Sequence, residues 1–362
     1  MIRKYPFYVK TTVIMLGMVL CSIILFALRD IFVPLSFALL LAILLNPLAM
    51  IFEGWGIPMT MAIVLTILIA LLLFLGIGYF LVMEVRNLSG ELPVFKVKLD
   101  QLFSRLQHYA SADIGIDKKK QTKYLDEIEN DLKPVLAAAM GTFLGTLAMI
   151  FLLPVYTFLF LFYKKLIRAF LYELFESVGK KEVSAVLVQS KKAIQRYMYG
   201  LILEALIVAS LNSTALLILH VKYAVLLGIL GAVMNVLPFI GGIIAVLFPL
   251  LIATVTHDGF QTQLWIVVAY LIIQFIDDHF LVPYIVASRV KINALISIVV
   301  VLLGGALWGI SGMFLSIPFI GVIKIVMDRL PELKAWGMLI GQEVPAKPKL
   351  KYLVRKKVNA QL

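Results

Sequence analysis

The chain has little of what most enzymes use. Its 362 residues include one cysteine, Cys21, so an intrachain disulfide framework is excluded. The four histidines, His108, His220, His257 and His279, fall at no ligand spacing. No C-x-x-C or H-E-x-x-H accompanies them, so no metal site is expected. There is no P-loop and no G-x-S-x-G elbow, hence no familiar seat for ATP or for a serine nucleophile. Neither a cofactor nor an enzymatic reaction is expected. Charge is scarce too, at 15% of residues with 62% hydrophobic, against about 25% charged in soluble domains. That composition excludes both an ordinary cytosolic domain and a disordered chain.

The charge that exists is kept out of long blocks. Residues 31–52, 54–83, 134–163, 223–257 and 292–323 contain no Asp, Glu, Lys or Arg. Each exceeds the ~20 apolar residues that cross a hydrocarbon core of ~30 Å. The expected fold is therefore all-α, a polytopic helical membrane protein with about eight transmembrane helices. Their expected limits are 11–28, 31–52, 58–83, 135–163, 197–219, 223–240, 242–256 and 264–285. The apolar run 11–28 is too long for a signal-peptide core and precedes no small-residue cleavage site, so it reads as an uncleaved first span. A straight helix over 292–323 would reach ~48 Å, so that block must break. Gly304, Gly305, Gly309 and Gly312 are where it can, which predicts a C-terminal broken-helix hairpin. The run 223–257 has the same excess, and Pro238 with Gly241 and Gly242 offers the same relief.

Basic residues then orient the chain. Segment 164–196 holds eight basic and three acidic residues, the tail from Lys324 nine and three, and 84–133 nine of each. The expectation is that both termini and 164–196 are cytoplasmic, while 84–133 is extracytoplasmic. The net charge of +12 thus follows topology, and no nucleic-acid partner is expected. The organisation reads as three spans in 1–83, an amphipathic helical segment in 84–133, and a fourth span in 134–163. A second amphipathic helical segment in 164–196 leads to a transport core with broken helices in 197–328 and a basic tail in 329–362. Leu92, Phe95, Leu99, Leu102, Leu106 and Tyr109 share one helical face in the first polar segment, as do Phe170, Leu171, Leu174 and Phe175 in the second. Such faces pack on the bundle, on the membrane surface or on a neighbouring subunit.

One pattern echoes internally. Gly228-Ile229-Leu230-Gly231 precedes Pro238-Phe239-Ile240-Gly241, and Gly309-Ile310-Ser311-Gly312 precedes Pro318-Phe319-Ile320-Gly321. Paired Gly/Pro-interrupted apolar segments point to a transporter's binding region, because a broken helix frees backbone groups for a cavity or a solute. Glycines that merely allow close helix packing are the plainer account.

In the same stretch the chain resembles the autoinducer-2 exporter family of bacterial permeases. The resemblance rests on Leu237-Pro238-Phe239-Ile240-Gly241, on Gln274-Phe275-Ile276-Asp277-Asp278 with Pro283, and on Gly304-Gly305-Ala306-Leu307-Trp308-Gly309-Ile310-Ser311-Gly312-Met313 with Ile317-Pro318. Asn46-Pro47 also fits. Asn293-Ala294 departs from the histidine–proline pair usual there. The resemblance implies a multi-pass bacterial inner-membrane protein without an ATPase and homo-oligomeric. Its members are associated with export of a small furanone signal or with sodium or lithium/proton exchange.

Ionisable groups inside spans are functional candidates by default. Gln274, Asp277 and Asp278, at i, i+3 and i+4, would share a helical face, where adjacent carboxylates repel and favour a bound proton or cation. A polar helix end at the interface would explain them equally simply. Glu204 lies alone in the fifth span, and Asn235 stands three residues before Pro238. These five are the transport or ion-coupling candidates. Pro238, Gly241, Gly242, Gly304, Gly305, Gly309, Gly312, Pro318 and Gly321 are the candidates for a broken-helix pathway. Three functions fit: a secondary exporter of a small solute, a cation/proton antiporter, or a non-transporting membrane scaffold. The partners expected are a small-molecule or cation substrate and the lipid bilayer.

Overall fold

The computed structural model describes residues 6–90, 151–235, 241–257, 259–286, 292–330 and 333–342. Most of the amphipathic segment expected at 84–133, the start of the fourth span, and Pro238 lie outside them. Apolar chain in a bilayer must satisfy its backbone internally, and helices do so. The described elements accordingly are helices. They are α1 (Phe7–Ala27), α2 (Arg29–Gly54), α3 (Met59–Gly90), α4 (Phe151–Phe162), α5 (Lys164–Leu174), α6 (Lys180–Ile218), α7 (Ala224–Asn235), α8 (Gly241–Thr256), α9 (Gln261–Ile276), α10 (Ala294–Arg329) and α11 (Lys334–Ile340). A π-helical stretch, Asp277–Val286, continues α9. Five of the described helices are long and apolar enough to cross a membrane, α9 being counted with its π continuation.

The 39-residue α6 is the organising element. It packs on α2, α5, α7, α9, the π stretch and α10. Two apolar clusters draw on it. Leu216 joins Leu227, Ala245, Ile266 and Tyr270 from α7, α8 and α9. Ile194 joins Leu40 of α2 and Leu315 of α10. A third cluster, with Ala42, Ala49, Ile63 and Leu161, ties α2, α3 and α4 together. The outward faces of α1 and α3 carry exposed residues such as Leu16, Ile23, Leu72 and Phe74, which suits lipid contact.

Two pieces fold back on themselves. In α10, Trp308 (φ −133°, ψ 18°) and Gly309 (φ 62°, ψ −144°) leave helical geometry. Gly309 occupies backbone space that is essentially closed to side-chain-bearing residues. The limbs 294–307 and 310–329 then run antiparallel, with Gly304 against Gly312 and Ser316, and Gly305 against Met313. This is the hairpin expected from the length of the apolar block. Its first limb rises only ~21 Å, short of ~30 Å of hydrocarbon. Pro318 does not break the chain; it lies buried inside the second limb. In a close-packed bundle, neighbours can tolerate the missing hydrogen bond.

Earlier in the chain, where spans are expected at 223–240 and 242–256, α7 and α8 form the other hairpin, the first of the two in chain order. Gly241 lies against Met234 and Asn235, so α8 doubles back on α7. The 12 residues of α7 rise ~18 Å and cannot cross. Between the two hairpins in sequence lie α9 and its π continuation, 25 residues long and apolar enough to cross a membrane. The hairpins are not structural copies. In one, the chain reverses between Asn235 and Gly241, after Gly228–Gly231; in the other, it reverses at Gly309, the first residue of Gly309–Gly312.

Where α10 begins, Asn293 acts three times. Its Oδ1 accepts from the Ile296 amide at 2.9 Å, capping the helix. Its Nδ2 donates to the carbonyls of Leu339 (2.6 Å) and Gly341 (3.1 Å) at the end of α11. Asn293→Ala should lower stability by about 1 kcal/mol for the cap alone and further for the lost clasp. A melting temperature unchanged in purified protein would remove this role.

Candidate polar site between the first hairpin and the π stretch

Along the apolar run of α6, the buried face carries Glu204 and Asn212 in step with Val208 and Leu216 at intervals of four. Glu204 is 6% exposed, Asn212 2%, and Asp277, at the start of the π stretch, 2%. Asn235, the last residue of α7, donates Nδ2 to Asp277 Oδ2 at 2.6 Å. The tip of the first hairpin is thereby tied to the π stretch. Gln274 donates to Asp278 Oδ1 at 3.1 Å. Gly242, the second residue of α8, leaves the space that the Gln274 carboxamide fills.

Gln274, Asp277 and Asp278 therefore do not act as one face. Successive residues of a helix point about 100° apart, so Asp277 turns inward to Asn235 while Asp278 stays exposed beside Gln274. Glu204 on α6 and Asp277 on the π stretch, two elements packed against each other, are both buried acids. None of the described salt bridges involves Glu204, Asp277 or Asp278. Asp277 Oδ1 is buried without a hydrogen-bond partner among the described residues. Carboxylates held out of water are costly unless a proton or a cation joins them. No cluster of metal-ligand residues occurs among the described residues.

A second polar layer was not singled out from sequence. Asn212 Oδ1 and Tyr270 Oη are both buried and unpartnered. The Asn212 side chain and Tyr270 Oη flank Gly231 of α7, which has room for no more than a small group beside them. The available signal was the spacing: Asn212 follows Glu204 by eight residues within an apolar run and so shares its face.

The second hairpin lies elsewhere. The main neighbours of α10 are α6, α11 and α2, not the π stretch. Gly304, Gly305, Gly309 and Gly312 shape its bend and limb contact, and Pro318 and Gly321 are buried on its second limb. Among the described glycine and proline candidates, Gly241 lies against Asn235 and Gly242 against Gln274.

Residues 12–332 match the family described as AI-2E family transporter. The chain belongs to that family. Among its relatives, the Bacillus subtilis protein YrrI is 26% identical over 83% of this chain and 86% of its own length. The Escherichia coli AI-2 transport protein TqsA is 27% identical, covering 88% and 91%. Escherichia coli YhhT is 24% identical, covering 89% and 90%. This AI-2E family member is thus a multi-pass membrane transporter whose hairpins and acid cluster lie within the matched region.

Proposed function

We propose that the protein is a secondary transporter that exports a small polar solute across the bacterial inner membrane, past Glu204, Asn235, Gln274, Asp277 and Asp278. The observation that carries this reading is the bond from Asn235, at a hairpin tip, to Asp277, a buried acid with one oxygen left open. A short helical tip closing on an unpaired intramembrane carboxylate gives a polar solute something to exchange places with. Autoinducer-2, named for the Escherichia coli relative, is the first solute to test. The three acids also support a second reading, sodium or lithium/proton exchange, since monovalent cations would neutralise the cluster.

The test uses proteoliposomes carrying a pH gradient. Antiport predicts that sodium or lithium collapses the gradient and that Asp277→Asn abolishes the effect. Solute export predicts solute flux with no cation-driven collapse. Neither flux nor collapse with any candidate would leave the scaffold reading. Orientation follows from the Lys/Arg asymmetry. A tag after Lys181 should be reachable only from the cytoplasm, and one in the turn after His257 only from the periplasm. The reverse pattern would overturn the orientation read from the Lys/Arg asymmetry.

A further inference from the structure

A gap in the hydrogen-bond ladder of α2 is filled from another helix. Pro47 lies inside α2 and has no N–H. The Ile43 carbonyl, one turn earlier, therefore loses its intrahelical donor, and the proline ring crowds the same turn. In a bilayer a group freed in this way needs a donor from a neighbouring helix. It comes from α6. Gln195 donates Nε2 to the Ile43 carbonyl at 2.8 Å. Tyr199, one turn further along α6, donates Oη to the next carbonyl, that of Leu44, at 3.2 Å. Two side chains on one face of α6 thus take two consecutive carbonyls beside the break.

Two sets of neighbours share α2. Leu40 is buried with Ile194 of α6 and Leu315 of α10, and Ile43 and Met198 pack against that cluster. Ala42 and Ala49, on another face, are buried with Ile63 of α3 and Leu161 of α4. Past the break, Glu53 pairs with Lys164, the first residue of α5, at 3.0 Å. Pro47 therefore separates a turn bonded to α6 from a turn bonded to α5. Sharp bends in helices sit at prolines, and a hinge needs only a few residues to absorb the change. A bond from side chain to carbonyl can also be released and remade without unwinding either helix. The grip falls on the side of α6 away from Glu204, which lies about two and a half turns further on.

We propose that Pro47 is a hinge in α2 and that Gln195 and Tyr199 are its latch. Bonded, they hold one bend angle; released, they let the end of α2 swing together with the start of α5. The proposal does not depend on which solute the protein moves. The test is a double-mutant cycle of P47A and Q195M, the methionine keeping the length of the side chain without its donor. It is read by melting and by a spin-label distance from the end of α2 to α6. Labels go at Trp55 and Val188, both exposed, in the full-length protein, with C21S removing the one native thiol. Q195M alone leaves the Ile43 carbonyl without a partner, so it should lower the melting temperature by about 2–4 °C and broaden the Trp55–Val188 distribution. P47A restores an N–H to the ladder and favours a straight helix. It should give one narrow distance, and Q195M added to it should change neither reading. Equal losses from Q195M in both backgrounds would make Gln195 an ordinary packing contact and overturn the latch. A Q195M distribution as narrow as that of the wild type would overturn the hinge. Y199F removes the second donor without touching the backbone and should broaden the distribution as well; a narrow one would overturn the latch even if P47A failed to assemble.

Discussion

Asp277→Asn is expected to slow transport sharply and leave the protein folded. Asparagine keeps the volume of the side chain and an oxygen to accept the Asn235 Nδ2 bond, 2.6 Å long in the wild type. What disappears is the charge. A hydrogen bond to a charged group is worth about 1.5–3 kcal/mol, so a cargo or proton bound through that carboxylate should be moved roughly ten- to a hundredfold more slowly. Flux per reconstituted protein is the measurement, read against the melting curve. Wild-type flux would remove the acid from the mechanism. A fall in flux matched by a collapse of the melting temperature would make Asp277 a structural anchor instead. Asn235→Ala separates the roles further. It leaves the charge and withdraws its partner, so it should destabilise the tip of the first hairpin, because a buried charge loses a bond without losing its desolvation cost.

What was legible in the sequence was whatever follows from length and apolarity. The limits of α2 and the start of α3 lie within a few residues of the edges of the charge-free blocks, and the folding-back of 292–323 followed from comparing ~48 Å of helix with ~30 Å of hydrocarbon. What was not legible depends on local geometry that composition does not encode. Lys180 to Arg196 is too charged to be membrane, yet it forms one helix with the apolar run that follows, since Lys, Glu and Gln are good helix formers in water. The run 223–257 contains no charge, but nothing in its apolarity announces that α8 returns along α7. Pro318 looked like a breaker and is held inside a helix, while Gly309, one glycine among several, makes the turn. The acids were found because charge inside a span is rare. That Asp277 faces inward and Asp278 does not depends on where the π stretch begins, which adjacent identical residues cannot reveal.

Gly304→Leu is expected to dismantle the α10 hairpin, and a graded set of glycine substitutions shows why. A side chain at Gly304 would run into Ser316 and the Gly312 carbonyl, and one at Gly312 into the Gly304 carbonyl. Both obstacles include backbone, which no change of rotamer relieves, so the limbs must separate. Overpacking in a tight site costs typically 1–3 kcal/mol, and leucine here should reach or exceed the upper end. Gly309 differs. A Cβ there meets open space, but its φ of 62° with ψ of −144° strains any residue bearing one, by about 1–3 kcal/mol. Gly305 differs again, because a Cβ would meet only the flexible Met313 side chain, which can move aside. Melting temperatures should therefore fall in the order Gly305→Ala least, Gly309→Ala more, and Gly304→Leu most, with only the last expected to yield mostly misassembled protein by size exclusion. Gly309→Asn should not rescue Gly309→Ala, because asparagine tolerates the left-handed helical region and not this one. If Gly305→Ala proved as damaging as Gly304→Leu, contact between the limb backbones would not be what these glycines preserve. The whole Gly304–Gly312 stretch would then have to be packed against something other than itself.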